Sequence, residues 1–183
     1  MIKQRGFEVI SALADKGIEI PKRGTKNSAG YDISVIHPDV YKLLLQGKTI
    51  EEAWNEVSEI NSKGNRYAIY WKEYGKSSML LPTGIKSYMQ PNEVLIMAVR
   101  SSAGIKKNIR QANPPSIIDS DYYNNPNNEG HIFFAVCNSS IVFDKPIMPI
   151  AQGIFINYLI TDNDNVTTER VGGIGSTDGR NVN

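Results

Sequence analysis

The sequence predicts an all-β fold, a sandwich or jelly-roll barrel, interrupted by one helical insertion near residues 38–62. Three observations predict it. Residues 94–99, 131–137 and 153–159 are near-continuous apolar runs of strand length. Short runs of this kind follow one another between Pro and Gly punctuation, with no helices joining them, which is the pattern of sandwiches and jelly rolls. Only one region switches to helical spacing, so it reads as an insert in a β domain.

Taken in order, residues 7–13 form a mixed apolar opening. Residues 21–30 are polar and rich in turn signals, and residues 31–36 follow as a strand. Pro38, Asp39 and the run 41–45 predict a short helix before Gly47. Thr49 can cap a second helix, with Glu52 three residues on as its capping-box partner. Ile50, Ala53, Trp54, Val57 and Ile60 then share one helical face. The insert's simplest role is structural: a lid, a packing element or an oligomer contact. Residues 64–78, with Tyr67, Tyr70, Trp71 and Tyr74, return the chain to the barrel. The barrel domain is thus expected over residues 1–161, with the insert at about 38–78. Residues 162–183 hold few large apolar side chains and several Gly, Asn and Thr, so they read as a flexible arm.

Composition narrows the function. The 183 residues suit a single domain, and 40% hydrophobic with 21% charged is an ordinary globular balance. A formal net charge of +1 gives no support for a nucleic-acid or membrane surface. A phosphorylated ligand would have to be held by local groups. The single cysteine, Cys137, cannot form an intrachain disulfide and fits a reducing, cytoplasmic setting. Only His37 and His131 are available, so a His-based metal triad is excluded, as is a Cys-rich zinc site. No apolar run approaches the roughly 18–20 residues of a membrane span. The N-terminus lacks the pattern of a signal peptide.

Five short segments carry the chemistry. In the segment 117–122, Asp119 and Asp121 lie two residues apart, and an extended chain points such residues to one side. Tyr122 would face away from both unless the hairpin bends. Such a group can activate a water and shape a pocket for a small ring, although an acidic pair before Asn and Pro is also a common turn. Arg100, Ser101, Ser102 and Gly104 follow an apolar strand and offer charge, hydroxyls and free backbone N–H groups, which suits a phosphate. The same residues can cap a short helix. Residues 170–177 combine Arg170, glycines, Ser176 and Thr177 to similar effect. Residues 29–32 and 149–153 complete the set.

Together, in order, these segments resemble the motifs of the trimeric deoxyuridine triphosphatases (dUTPases). SAGYDI at 28–33 resembles the first motif, RSSAGIK at 100–106 the second and IIDSDY at 117–122 the third. PIAQGIF at 149–155 resembles the fourth, and GGIGST at 172–177, behind Arg170, the glycine-rich fifth. LPTGIK at 81–86 and GHIFFAVCN at 130–138 match strands between them. The resemblance implies a distorted jelly-roll β-barrel, and hydrolysis of dUTP to dUMP and pyrophosphate, which limits uracil in DNA and supplies dUMP. By the same resemblance, Asp119 is the general base that activates the attacking water. Tyr122 packs under the deoxyribose, Asn113 meets the uracil edge, and Ile118 and Ile174 line the base and sugar pocket. Arg100, Ser101, Ser102 and Gln152 hold the phosphates, with Asp32 as a supporting acid. Arg170, Ser176 and Thr177 close over the triphosphate. Mg²⁺ is implied as the cofactor, held by phosphates and water with no direct protein ligand, in keeping with its reluctance to dehydrate. A homotrimer with shared active sites is implied too, with a protein partner for the insert as a further expectation.

The chain also departs from the family pattern. Ser116 stands where the third motif has glycine, the Tyr-x-Gly of that motif is stretched to Tyr122…Gly130, and Ile174 replaces a stacking Phe. Losing that stack forgoes about 0.5–1.5 kcal/mol. A related dCTP deaminase is disfavoured. Its strand glutamate is Ala135 here, and the arginine after its Arg-Ser-Ser segment is Ile105. The other alternative is a regulatory or binding protein of the same fold, with weak hydrolysis.

Overall fold

The structure is a computed structural model that describes residues 3–71, 78–168, 170 and 172. In chain order its strands are β1 (Gly6–Val9), β2 (Lys22–Arg23), β3 (Tyr31–Ile36), β4 (Glu59–Ile60), β5 (Arg66–Trp71), β6 (Met79–Pro82), β7 (Ile85–Tyr88), β8 (Glu93–Val99), β9 (Ser116–Asp119), β10 (Phe133–Val136), β11 (Ser140–Phe143) and β12 (Ile147–Asn157). Two helices, α1 (Pro38–Leu45) and α2 (Ile50–Val57), fall between β3 and β4. The strands pair antiparallel in four groups: β2-β3-β12-β8-β9, β11-β5-β4, β1-β7 and β10-β6.

The apolar runs of the sequence supply the core. Ile33, Val35, Leu81, Leu95, Met97, Phe134, Val136 and Phe143 are fully buried in one cluster. The insert joins that cluster rather than standing apart. Val40 and Leu44 of α1 and Ala53 and Trp54 of α2 are buried in it. The capping box of α2 forms as expected, Thr49 Oγ1 accepting from the Glu52 N–H at 3.2 Å and Glu52 Oε2 accepting from the Thr49 N–H at 2.8 Å.

The structure corrects two expectations. The apolar spacing carried α2 on to Ile60, but the helix stops at Val57, because Ser58 turns extended (φ −96°, ψ 150°). Ile60 then enters β4 and is 62% exposed. The segment 149–153 lies ahead of the apolar run 153–159 in the sequence, yet it is inside β12 and spans a register shift between Pro149 and Ala151. β12 sets Gln152 opposite Asp32 of β3 and opposite Ala98 of β8.

Candidate active site

The predicted residues gather in two clusters. The first lies where β3, β8 and β12 meet. Arg100 follows β8, and its backbone N–H still bonds the Ile150 carbonyl at 2.8 Å. Its Nε contacts Asp32 Oδ1 at 2.8 Å and its Nη1 donates to the Pro149 carbonyl at 3.2 Å. Gln152 packs against the backbone before β3: a Cβ at Gly30 would stand 2.7 Å from Gln152 Oε1. A side chain at Gly30 would therefore push the Gln152 amide out of its place. Ser101 and Ser102 are exposed beside Arg100. The short helical turn Ser102–Lys106 begins there, but Ser101 makes no side-chain cap bond, so both hydroxyls remain available. A cleft of ≈ 200 Å³ adjoins Arg100 and Ser102, with Lys107 and Lys145 on its wall. This arrangement presents positive charge and hydroxyl donors, and suits an anion.

The second cluster lies at the far end of β9. Asp119 ends that strand, and a 3-10 turn, Ser120–Tyr122, bends the hairpin at once. The bend keeps Asp119 and Asp121 on one side and turns Tyr122 inward, to 7% exposure. Arg170 bridges the two acids. Its Nη2 donates to Asp119 Oδ2 at 2.6 Å and its Nε to Asp121 Oδ1 at 2.7 Å. The guanidinium carbon lies 5.7 Å from the Tyr122 ring centroid, within cation–π range. Asp119 and Asp121 remain half exposed, whereas Arg170 is mostly covered. A water or a ligand can therefore reach the carboxylates.

Asn113 is exposed, and its Oδ1 accepts from Ser116 Oγ at 3.2 Å. Ile118 is half buried beside Leu95. Ile174, Ser176 and Thr177 lie outside the described residues.

Several supporting residues carried no signal in the sequence. Gln111 Nε2 reaches Met97 O, Asn113 O and Ser116 Oγ at 3.1, 3.4 and 2.9 Å, and so braces the segment that bears Asn113. Lys86, nearly buried, donates to Asn124 Oδ1 at 2.7 Å and Glu129 Oε1 at 2.5 Å. Tyr123 donates to Glu8 at 2.6 Å, which raises the Tyr123 pKa. These bonds fix the loop after Tyr122. The stretched Tyr122…Gly130 spacing proves local: the Asn124 N–H bonds the Glu129 carbonyl at 3.2 Å, closing the extra residues into a loop. Gly130 (φ 79°) then packs directly on the Tyr122–Asn124 backbone, and a Cβ there would lie 2.7 Å from Tyr122 O. Despite the seven intervening residues, 123–129, the glycine sits against the tyrosine backbone.

No family model matches the chain. A curated relative from Lactococcus lactis subsp. lactis (strain IL1403), named deoxyuridine 5'-triphosphate nucleotidohydrolase, is 38% identical over 181 residues, covering 96% of this chain and 99% of its own. The crystal structure of a dUTPase from Streptococcus mutans is 33% identical, with a TM-score of 0.58 over 86% of this chain and 98% of that one. A dUTPase of the staphylococcal phage 80alpha, at 13% identity and TM-score 0.54 over 91% of this chain and 98% of that chain, shares the fold.

Proposed function

Because the chain belongs to the dUTPase family and hydrolyses dUTP to dUMP and pyrophosphate, we propose that the two clusters are the two halves of its active site. Asp119 acts as general base, taking a proton from the water that attacks the α-phosphorus. Tyr122 packs under the deoxyribose, with Asn113, Ile118 and Ile174 shaping the base pocket. Arg100, Ser101, Ser102 and Gln152 hold the phosphates, and Asp32 orients Arg100. Residues 162–183 form the arm that brings Arg170, Ser176 and Thr177 over the triphosphate. The observation that carries this reading is the meeting of Arg170 with Asp119 and Asp121, which brings one predicted phosphate-binding residue to the acidic hairpin. Positioning and charge stabilisation supply most of the catalysis, with one base.

We assign Mg²⁺ to this site as a companion of the substrate, held by its phosphates and by water, in keeping with its reluctance to dehydrate. Bound in that way, it would offset the charge of the triphosphate.

Geometry also supports a homotrimer with shared sites. Asp119 pairs with Val94, whereas Arg100 lies beyond Val99 on the same strand. Five to six residues at the rise of a strand separate them by about 17–20 Å. One triphosphate does not bridge that span within a chain, but it can where Asp119 of one copy faces Arg100 of another. A trimer in the reducing cytoplasm, with dUTP as its substrate, is the assembly we assign.

The test is direct. With Mg²⁺, dUTP should yield pyrophosphate while dCTP yields no ammonia. Asp119→Asn should lower turnover by roughly 10²–10⁴-fold, the range of general-base catalysis. Near-normal turnover in that variant would remove Asp119 from its role.

A further inference from the structure

The loop after Tyr122 does more than close on itself. The Tyr122 hydroxyl donates to the His131 carbonyl at 3.0 Å. A carbonyl only accepts, so the phenol's one hydrogen is committed there. The contact from Asn128 Nδ2 to that hydroxyl, at 2.8 Å, is therefore an N–H donated to the phenol oxygen. The other end of the Asn128 amide fixes its orientation. Its Oδ1 accepts from Asn125 Nδ2 at 2.8 Å and from the Gly130 N–H at 3.1 Å. Asn125, only 5% exposed, also donates to the Tyr122 carbonyl at 2.9 Å. Its Oδ1 accepts the N–H groups of Asn127 and Asn128 at 3.1 and 3.2 Å. Tyr122 is thus held at its backbone by Asn125 and at the tip of its ring by Asn128.

A phenol anchored only at its Cβ and by one bond can swing about its side-chain torsions. A second bond at the far end fixes where the ring face lies. We propose that Asn128, a residue of the inserted loop, is a specificity-determining positioning residue: it holds Tyr122 close enough to the sugar to reject a 2′-hydroxyl. The inference rests on Tyr122 being the residue under the deoxyribose. A 2′-hydroxyl is one extra oxygen, so admitting it needs only a small retreat of the ring. Misplacements of about 1 Å at reacting centres are worth on the order of 100-fold, so a modest loosening should register in the choice between dUTP and UTP.

The experiment measures kcat/KM for dUTP and for UTP, with Mg²⁺, in the wild-type protein and in Asn128→Ala, Asn127→Ala, Tyr122→Phe, Tyr122→Ala and the double variant Asn128→Ala/Tyr122→Phe. Asn127 shares the loop, is exposed and has no bond to the phenol, so it controls for loop looseness. Assays run below each variant's measured melting temperature. Asn128→Ala should lower the dUTP-to-UTP ratio about 5–10-fold, within the 100-fold scale of misplacement, with kcat for dUTP little changed. The double variant should fall no further than the worse of its two single changes. Asn127→Ala should keep the wild-type ratio. An unchanged ratio in Asn128→Ala, alongside a lowered one in Tyr122→Ala, overturns the inference and leaves Tyr122 as the sugar residue. An equal fall in Asn127→Ala overturns it as well. An unchanged ratio in Tyr122→Ala refutes the role of Tyr122 itself, and this inference with it.

Discussion

His131 shows at the scale of one residue how the hairpin support is tied to pH. Its Nε2 accepts the Gly84 N–H at 3.0 Å, and its ring is buried against Phe133 and Tyr41. Burial holds its pKa down at about 4, with the charge of Glu129 opposing weakly. The folded protein keeps the ring neutral where the unfolded chain, near 6.5, takes up a proton. Stability therefore falls as pH drops from about 6.5 towards 4, by about 2 kcal/mol between pH 7 and pH 5. His37 is shifted in the same direction by its own burial and adds to the trend. Urea denaturation at the two pH values reads the loss, and His131→Gln should flatten it. Gly130 makes a second prediction. A Cβ there meets Tyr122 O at 2.7 Å and the backbone is left-handed, so Gly130→Ala should lower stability by about 2 kcal/mol and raise KM for dUTP. Melting curves and steady-state kinetics would show both. Asp119 and Tyr122 were legible in the sequence because their spacing is local. The partners that position them were not. Asn128 reaches Tyr122, and Gln111 braces the Asn113 segment, through turns whose side-chain bonds leave no periodic trace; Arg170 was legible as a site residue, but its pairing with Asp119 and Asp121 was not.

At the scale of elements, the capping box made α2 readable at its start. Thr49 and Glu52 sit three residues apart and need nothing distant. Thr49→Ala should cost about 1 kcal/mol, a fall of about 2–4 °C in Tm, with kcat unchanged. A larger fall, or a loss of activity, would mean that the insert bears on the site. The end of α2 was not readable. Ile60 continues the apolar spacing, yet β4 pairs with β5, so a partner beyond the helix decides where it stops. The same holds for β12. Its apolar run was visible from Gly153 onward, but the strand starts at Ile147, where β3 supplies the pairing.

For the whole molecule, the separation of the two clusters gives the sharpest test of a shared site. Asp119→Asn and Arg100→Ala proteins should each be nearly inactive. Unfolded together and reassembled, they should regain up to about a quarter of the wild-type rate, because random assortment in a cyclic trimer leaves that share of sites intact. No recovery would confine each site to one chain. The barrel as a whole was foreseeable from its apolar runs, whereas the meeting of distant segments was not, because pairing across a sheet depends on packing that no single run encodes. The place of β12 also bears on how the chain comes to be folded. It follows every other described strand, yet it lies in the middle of the largest sheet, between β3 and β8. A growing polypeptide therefore holds β3 and β8 without the strand that joins them until residue 147 and beyond have left the ribosome. Closure of the sheet waits for β12 and spans more than a hundred residues of chain, which favours slow folding and reliance on chaperones during the wait.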